Sequence, residues 1–137
     1  MLQQMKEHIA KRKSSGFTLM ELLIVIAIIS VLVAIAIPTF AAQLDNAKDS
    51  ADKANARALY ALAQSDWMTS PNHEVESTYM PFTDHKIVVQ FKDGSSQSFT
   101  FSDRATNVTV DFDSTVGATV RVEGKANGES GISYPEG

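Results

Sequence analysis

Residues 17–37, FTLMELLIVIAIISVLVAIAI, form an apolar run interrupted only by Thr18, Glu21 and Ser30. As a helix at about 1.5 Å per residue the run extends about 30 Å, the thickness of the hydrocarbon core of a bilayer. A core helix in a small domain normally keeps one polar face, because one face meets water, and this run is apolar all round. It reads as a single membrane crossing, which leaves room for one small domain downstream in a chain of 137 residues.

The charges orient that crossing. Lys6, Lys11, Arg12 and Lys13 precede the run, and the first charge after it is Asp45, so the positive-inside bias puts the N-terminal side in the cytoplasm and the rest of the chain outside. The chain has 12 basic and 16 acidic residues; residues 1–16 hold four and one of these, which leaves eight against fifteen, a net −7, downstream. That balance argues against a nucleic-acid partner. With no cysteine, the outer domain must hold together by packing alone, and a zinc site would lack thiolates.

The run is too long for an ordinary secretory signal, whose apolar core is about 7–15 residues and whose small-residue cleavage site follows it. Here the small residues Ser14, Ser15 and Gly16 come before the apolar run, directly after the basic cluster. A cut there would retain the membrane helix. The stretch KSSGFTLMELLIVIAIISVLVAIAIP, with its basic leader, Gly16 before Phe17, Thr18, Glu21 and the closing Pro38, resembles the processing site and N-terminal helix of type IV pilins and the related pseudopilins. The resemblance implies that a prepilin peptidase cuts between Gly16 and Phe17, that the Phe17 amine is then methylated, and that Phe17, Thr18, Glu21 and Pro38 serve assembly. It also implies an inner-membrane assembly platform as a partner, and a helix partly unwound in filaments over residues 30–38. Ser30 stands where many relatives have glycine.

An ionised carboxylate near the membrane interior costs on the order of 2.5–3.5 kcal/mol, so such a residue usually faces a partner. By the resemblance, that partner is the new amine of Phe17 on a neighbouring subunit. Two costly groups in a low-dielectric setting relieve each other at one axial offset only, so the pair can set register. The competing reading has Glu21 snorkel or take up a proton beside the interface, bonded to Thr18 three residues earlier on the same face. Pro38, without an amide hydrogen, should kink or loosen the helix, or end the membrane segment.

Residues 41–66 favour helix, and Leu44, Ala47, Ala51, Ala54, Ala58, Ala61 and Ser65 recur at steps of three and four. This stripe of small residues is expected to face the aromatic residues of a sheet, with Asp45, Lys48, Asp49, Asp52, Lys53 and Arg57 on the remaining faces. Residues 67–84, with two prolines and no clear period, read as a loop. Four alternating segments follow, with apolar positions at 87–91, 99–101, 108–112 and 116–122, and they suggest an antiparallel meander. A two-residue turn at Asp93-Gly94 would put Phe99 and Phe101 on the wrong face, so a three-residue connection is expected. The tail after residue 122 is expected to lie irregularly over the sheet edge.

Chemistry beyond assembly finds little purchase. His73 and His85 have no convincing third ligand or nucleophile, and His8 reads as a solvated leader residue. Asp111 and Asp113, with Asp103, Glu123 or Glu129, fit no calcium-loop spacing. Asn107, Val108 and Thr109 form a glycosylation sequon, but inside an expected strand. No catalytic, cofactor or metal residues are assigned, and no enzyme is expected.

The expected fold is α+β and pilin-like: a long N-terminal helix, membrane-spanning in its first half, packed against a four-stranded antiparallel sheet. The expected organisation is a leader at 1–16, a membrane and filament-core helix at 17–40, and a soluble domain at 41–137, divided into helix 41–66, loop 67–84, sheet 85–122 and tail 123–137. The expected function is that of a subunit of a type IV pilus, a homo-oligomeric filament that starts in membrane lipid and ends outside the cell. One alternative is a pseudopilin of a secretion or DNA-uptake system. Another is a single-pass binding protein that never polymerises.

Overall fold

The computed structural model describes residues 16–73, 75–124 and 131–136. The leader with Glu7 and His8, and Glu129, lie outside the described residues, as does the His73 side chain. The chain divides after Ala41 into two compact units.

One helix, α1 (Leu19–Thr69), runs through both units. It continues three residues past the expected end at 66, and a short 3-10 turn at Pro71–His73 follows, with Asn72 in the left-handed region at φ 57°. In the first unit no large apolar side chain from Leu19 to Ile37 is buried.

The second unit is α+β, but its strands form two three-stranded antiparallel sheets where one four-stranded sheet was expected. The first contains β1 (Thr78–Tyr79), β2 (Lys86–Gln90) and β3 (Ser96–Thr100), in that order. The second contains β4 (Ala105–Asp113), β5 (Gly117–Gly124) and β6 (Ile132–Tyr134). The two extra strands come from segments read as irregular: part of the loop after α1 pairs as β1, and part of the tail pairs along β5 as β6. Strands this short carry too few residues for a period-2 pattern to show, and their pairing is set by the neighbour.

The β2–β3 hairpin has the expected odd connection. Ile87 pairs with Phe99 and Gln90 with Ser96, and the Phe91 amide donates to the Ser95 carbonyl at 2.9 Å, which leaves Lys92, Asp93 and Gly94 as the loop. Gly94, at φ 85°, takes the left-handed position that such a three-residue loop requires. Ile87, Val89, Phe99 and Phe101 therefore share the buried face. They join Val108, Val120, Val122 and Tyr134 from the second sheet in one core with Ala56 and Leu59 of α1.

The helix face in that core is not the expected one. Leu44, Ala47, Ala51, Ala54, Ala58, Ala61 and Ser65 are all exposed, and the buried helical residues are Asp52, Ala56, Leu59 and Ala63. Polar anchors decide the orientation. Asp52, 5 % exposed, accepts from the Ser102 amide at 2.7 Å and from the Ser102 hydroxyl at 2.6 Å. Asn55 donates to the Thr100 carbonyl at 2.6 Å, and Gln64 accepts from the Ala118 amide at 2.8 Å. The close approach of Gln64 requires glycine at 117, which has φ 96° and where a Cβ would lie 2.6 Å from the Gln64 oxygen. Asp45 and Asp49 hold Arg104, and Lys48 holds Asp103 at 2.7 Å, so the turn after β3 is bound to one side of the helix from Asp45 to Asn55. The lysine bond holds the Asp103 carboxyl below its usual range.

Hydrogen bonds to a buried carboxylate contribute about 1.5–3 kcal/mol each, so Asp52→Ala should destabilise the second unit by about 2–4 kcal/mol. Asp45→Ala, at a half-exposed carboxylate, should cost much less. Urea unfolding of both variants in detergent checks the ranking, and equal midpoints would contradict it. Tyr79 tests the same packing at high pH. Burial, and the Asp66 carboxylate that its hydroxyl bonds at 3.1 Å, push its phenol pKa up. A raised pKa means that the neutral phenol favours the fold. Its contribution is complete below about pH 10 and is lost as pH rises from there toward the folded value. Tyr79→Phe should flatten the alkaline part of the stability curve, and an unchanged slope would show that the phenol plays no part.

Candidate functional site

The N-terminal motif begins at a helix start built by its own residues. Thr18 precedes the first helical residue, Leu19, and Glu21 is the third residue of the helix. The Thr18 amide donates to Glu21 Oε2 at 2.8 Å, and the Glu21 amide donates to Thr18 Oγ1 at 3.2 Å. This reciprocal pair is a capping box, which satisfies two amide donors that the helix cannot satisfy internally. It also places a carboxylate at the positive end of the helix dipole. Of the competing reading of Glu21, the bond to Thr18 is present within the single chain. The cap engages one of the two carboxylate oxygens, Oε2, and among the described residues Oε1 has no hydrogen-bond partner.

Around this cap the surface is apolar. Phe17 is 92 % exposed and Leu19 83 %. The other hydroxyls are satisfied inside the helix: Ser30 donates to the Ile26 carbonyl at 2.7 Å, and Thr39 to the carbonyls of Ile35 and Ala36 at 3.0 and 2.9 Å. The unwinding expected in filaments over residues 30–38 is absent from this single chain, where α1 runs unbroken through Pro38. Proline at 38 removes the donor for the Ala34 carbonyl only, and bonds on both sides carry the helix across one missing link. A helix long and apolar enough to cross a membrane results.

The structure keeps the other singled-out residues apart. Asp113 closes its own turn, accepting from the Thr115 amide at 2.7 Å, from the Thr115 hydroxyl and from the Val116 amide at 3.2 Å. These bonds, the hydroxyl first, hold its carboxyl below the usual range. Asp103 is committed to Lys48, and among the described residues no cluster of three metal-ligating side chains occurs. His85 lies in a two-residue turn with Asp84, both at positive φ, its ring edge-on to Phe82 at 6.2 Å. Asn107 is half-buried in β4. The groove beside β4 went unnoticed in the sequence, because its walls come from segments about thirty residues apart.

One comparison with known proteins falls on the same N-terminal segment. Residues 11–37 match the family model described as the prokaryotic N-terminal methylation motif. Over 53 residues the chain is 49 % identical to the type IV major pilin protein PilA of Myxococcus xanthus (strain DK1622). That alignment covers 39 % of this chain and 24 % of the relative, so the chain spans about a quarter of the relative's length. No solved structure gives a significant match.

The capping box predicts a local measurement. Thr18→Ala removes the hydroxyl acceptor and should raise amide hydrogen exchange in the first turn of α1 by an amount equivalent to about 1 kcal/mol. Thr18→Ser should restore protection, and fast exchange in both variants would contradict the role of the hydroxyl. The N-terminal segment, an apolar helix with a basic stretch before it, carries the prokaryotic N-terminal methylation motif, and over 53 residues the chain is similar to a type IV major pilin.

Proposed function

We propose that this chain is a structural subunit of a type IV pilus. It is made as a precursor with its N-terminus in the cytoplasm, cut between Gly16 and Phe17, methylated at Phe17 and polymerised through residues 17–40. The observation that carries the reading is the motif match over residues 11–37, most of which lies on a helix whose apolar side chains have no cover among the described residues. Such a surface is stable in lipid, and it is stable without lipid when other copies of the same helix replace the lipid.

Glu21 supplies the selectivity. With Oε2 bonded to the Thr18 amide, the carboxylate is held at the start of the helix, and Oε1 accepts the Phe17 amine of a neighbouring subunit. Exposed apolar side chains then pack at the one offset that the ion pair permits. The pairing requires a free amine at residue 17, so cleavage has to precede assembly. A pseudopilin of a secretion or DNA-uptake system is the second reading, supported by the same motif. The work in either case is structural, and the partners are further copies, the peptidase and the assembly platform.

Glu21→Val is the test. The variant should insert and be cleaved, because neither step uses the carboxylate, and its yield of filaments in sheared surface material should fall below detection. Glu21→Asp, which keeps the charge but shortens its reach, should assemble partially. Normal filament yield from Glu21→Val would overturn the pairing.

A further inference from the structure

The two sheets leave a gap between them. On one side is the outer edge of β4, a nine-residue strand that among the described residues pairs with β5 alone. On the other are β1 and the residues after it, whose backbone bonds go to β2: the Met80 amide donates to the Val88 carbonyl at 2.9 Å, and Thr83 pairs with Lys86. Among the described residues no backbone hydrogen bond crosses the gap. It forms a groove of about 260 Å³, lined by Tyr79, Met80 and Phe82 on one wall and Asn107, Thr109 and Asp111 on the other.

Three features separate this groove from an incidental surface dent. Natural edge strands are usually blunted by lysine, proline or a bulge, because unpaired amides and carbonyls recruit other strands. The β4 sequence ATNVTVDFD contains no lysine, arginine or proline, and its register shift lies at the start, between Ala105 and Asn107, so residues 108–113 pair regularly with β5. The rim is apolar: Met80 is 42 % exposed and Phe112 36 %, and the Phe112 ring lies 5.1 Å from that of Tyr79. The volume is below the roughly 300–1,000 Å³ of pockets that hold whole small molecules, and it suits one or two side chains of a chain whose backbone lies along the edge. The one charged residue in the lining is Asp111, with Asp113 two residues further along the same strand, so the charge that complements this end is positive.

We propose that the edge of β4 and the adjoining groove bind an extended strand of a partner polypeptide, with an apolar side chain inserted between Phe82 and β4 and a lysine or arginine opposite Asp111. Backbone bonds to β4 give affinity, and the groove and the carboxylate select sequence and register. The site is separate from the N-terminal helix and does not depend on polymerisation.

The test uses the full chain, isotope-labelled in detergent micelles, and a capped peptide of alternating valine and lysine. Titration should move the amide signals of Met80, Phe82 and residues 106–113 saturably and slow hydrogen exchange along β4. A proline at the centre of the peptide should weaken binding about tenfold, because it removes a ladder donor. Exchanging lysine for glutamate should weaken it several-fold, and Asp111→Lys in the protein, with an otherwise unchanged amide spectrum, should reverse that preference. The proposal is overturned by the absence of saturable shifts, by shifts confined to residues outside the groove, or by indifference to the proline. It is overturned equally if β4 amides gain protection with protein concentration alone, which would assign the edge to a second copy.

Discussion

A helical surface of some twenty apolar side chains that nothing among the described residues covers is the constraint on which the rest depends. Exposed to water it would be ruinous, at roughly 25 cal/mol for each square ångström. Within this chain the second unit has a core of its own, built from the far half of α1 and two sheets. Cover has to come from outside, first from lipid and, in the reading adopted here, then from identical helices. Lipid tails and neighbouring helices are almost equally apolar, so the exchange between them costs little and must be directed by something polar. Glu21 and the terminus created at Phe17 are the polar groups available.

The capping box refines that picture. A carboxylate free to rotate would pay an entropic cost whenever a neighbour arrived, whereas Glu21 is already fixed by the Thr18 amide. The cap and the intermolecular pair need not compete, since the two oxygens can serve different donors. In the proposed function Thr18 would act on assembly through Glu21, and the cap organises the helix start within the single chain.

The second unit shows how much of a fold can be decided by a few polar contacts. Apolar positions at 87, 89, 99 and 101 were legible from alternation, and parity alone required the three-residue loop at 92–94. The helix face was not legible. Alanines at regular steps marked a stripe, but a small side chain fits an exposed position as readily as a buried one, and that stripe lies open. The rotation of α1 is set instead by Asp52, Asn55 and Gln64, whose partners are backbone groups at Ser102, Thr100 and Ala118. Backbone acceptors and donors leave no trace in sequence. The short strands β1 and β6 were missed for a related reason, since their pairing is dictated by the strands beside them. At the N-terminal motif the three-residue spacing suggested a bond between Thr18 and Glu21, but the reciprocal capping box became visible only in the structure.

In the proposed function, cleavage between Gly16 and Phe17 is the step from which the free amine, the ion pair and the register would all follow. Its most direct test is the mass of the N-terminal peptide of the protein isolated from its own cells, from sheared surface material and from washed membranes. The account predicts a peptide beginning at Phe17 and carrying one added methyl group. A peptide beginning at Met1 in both fractions would contradict it, and would leave Glu21 as the cap of a membrane anchor and nothing more.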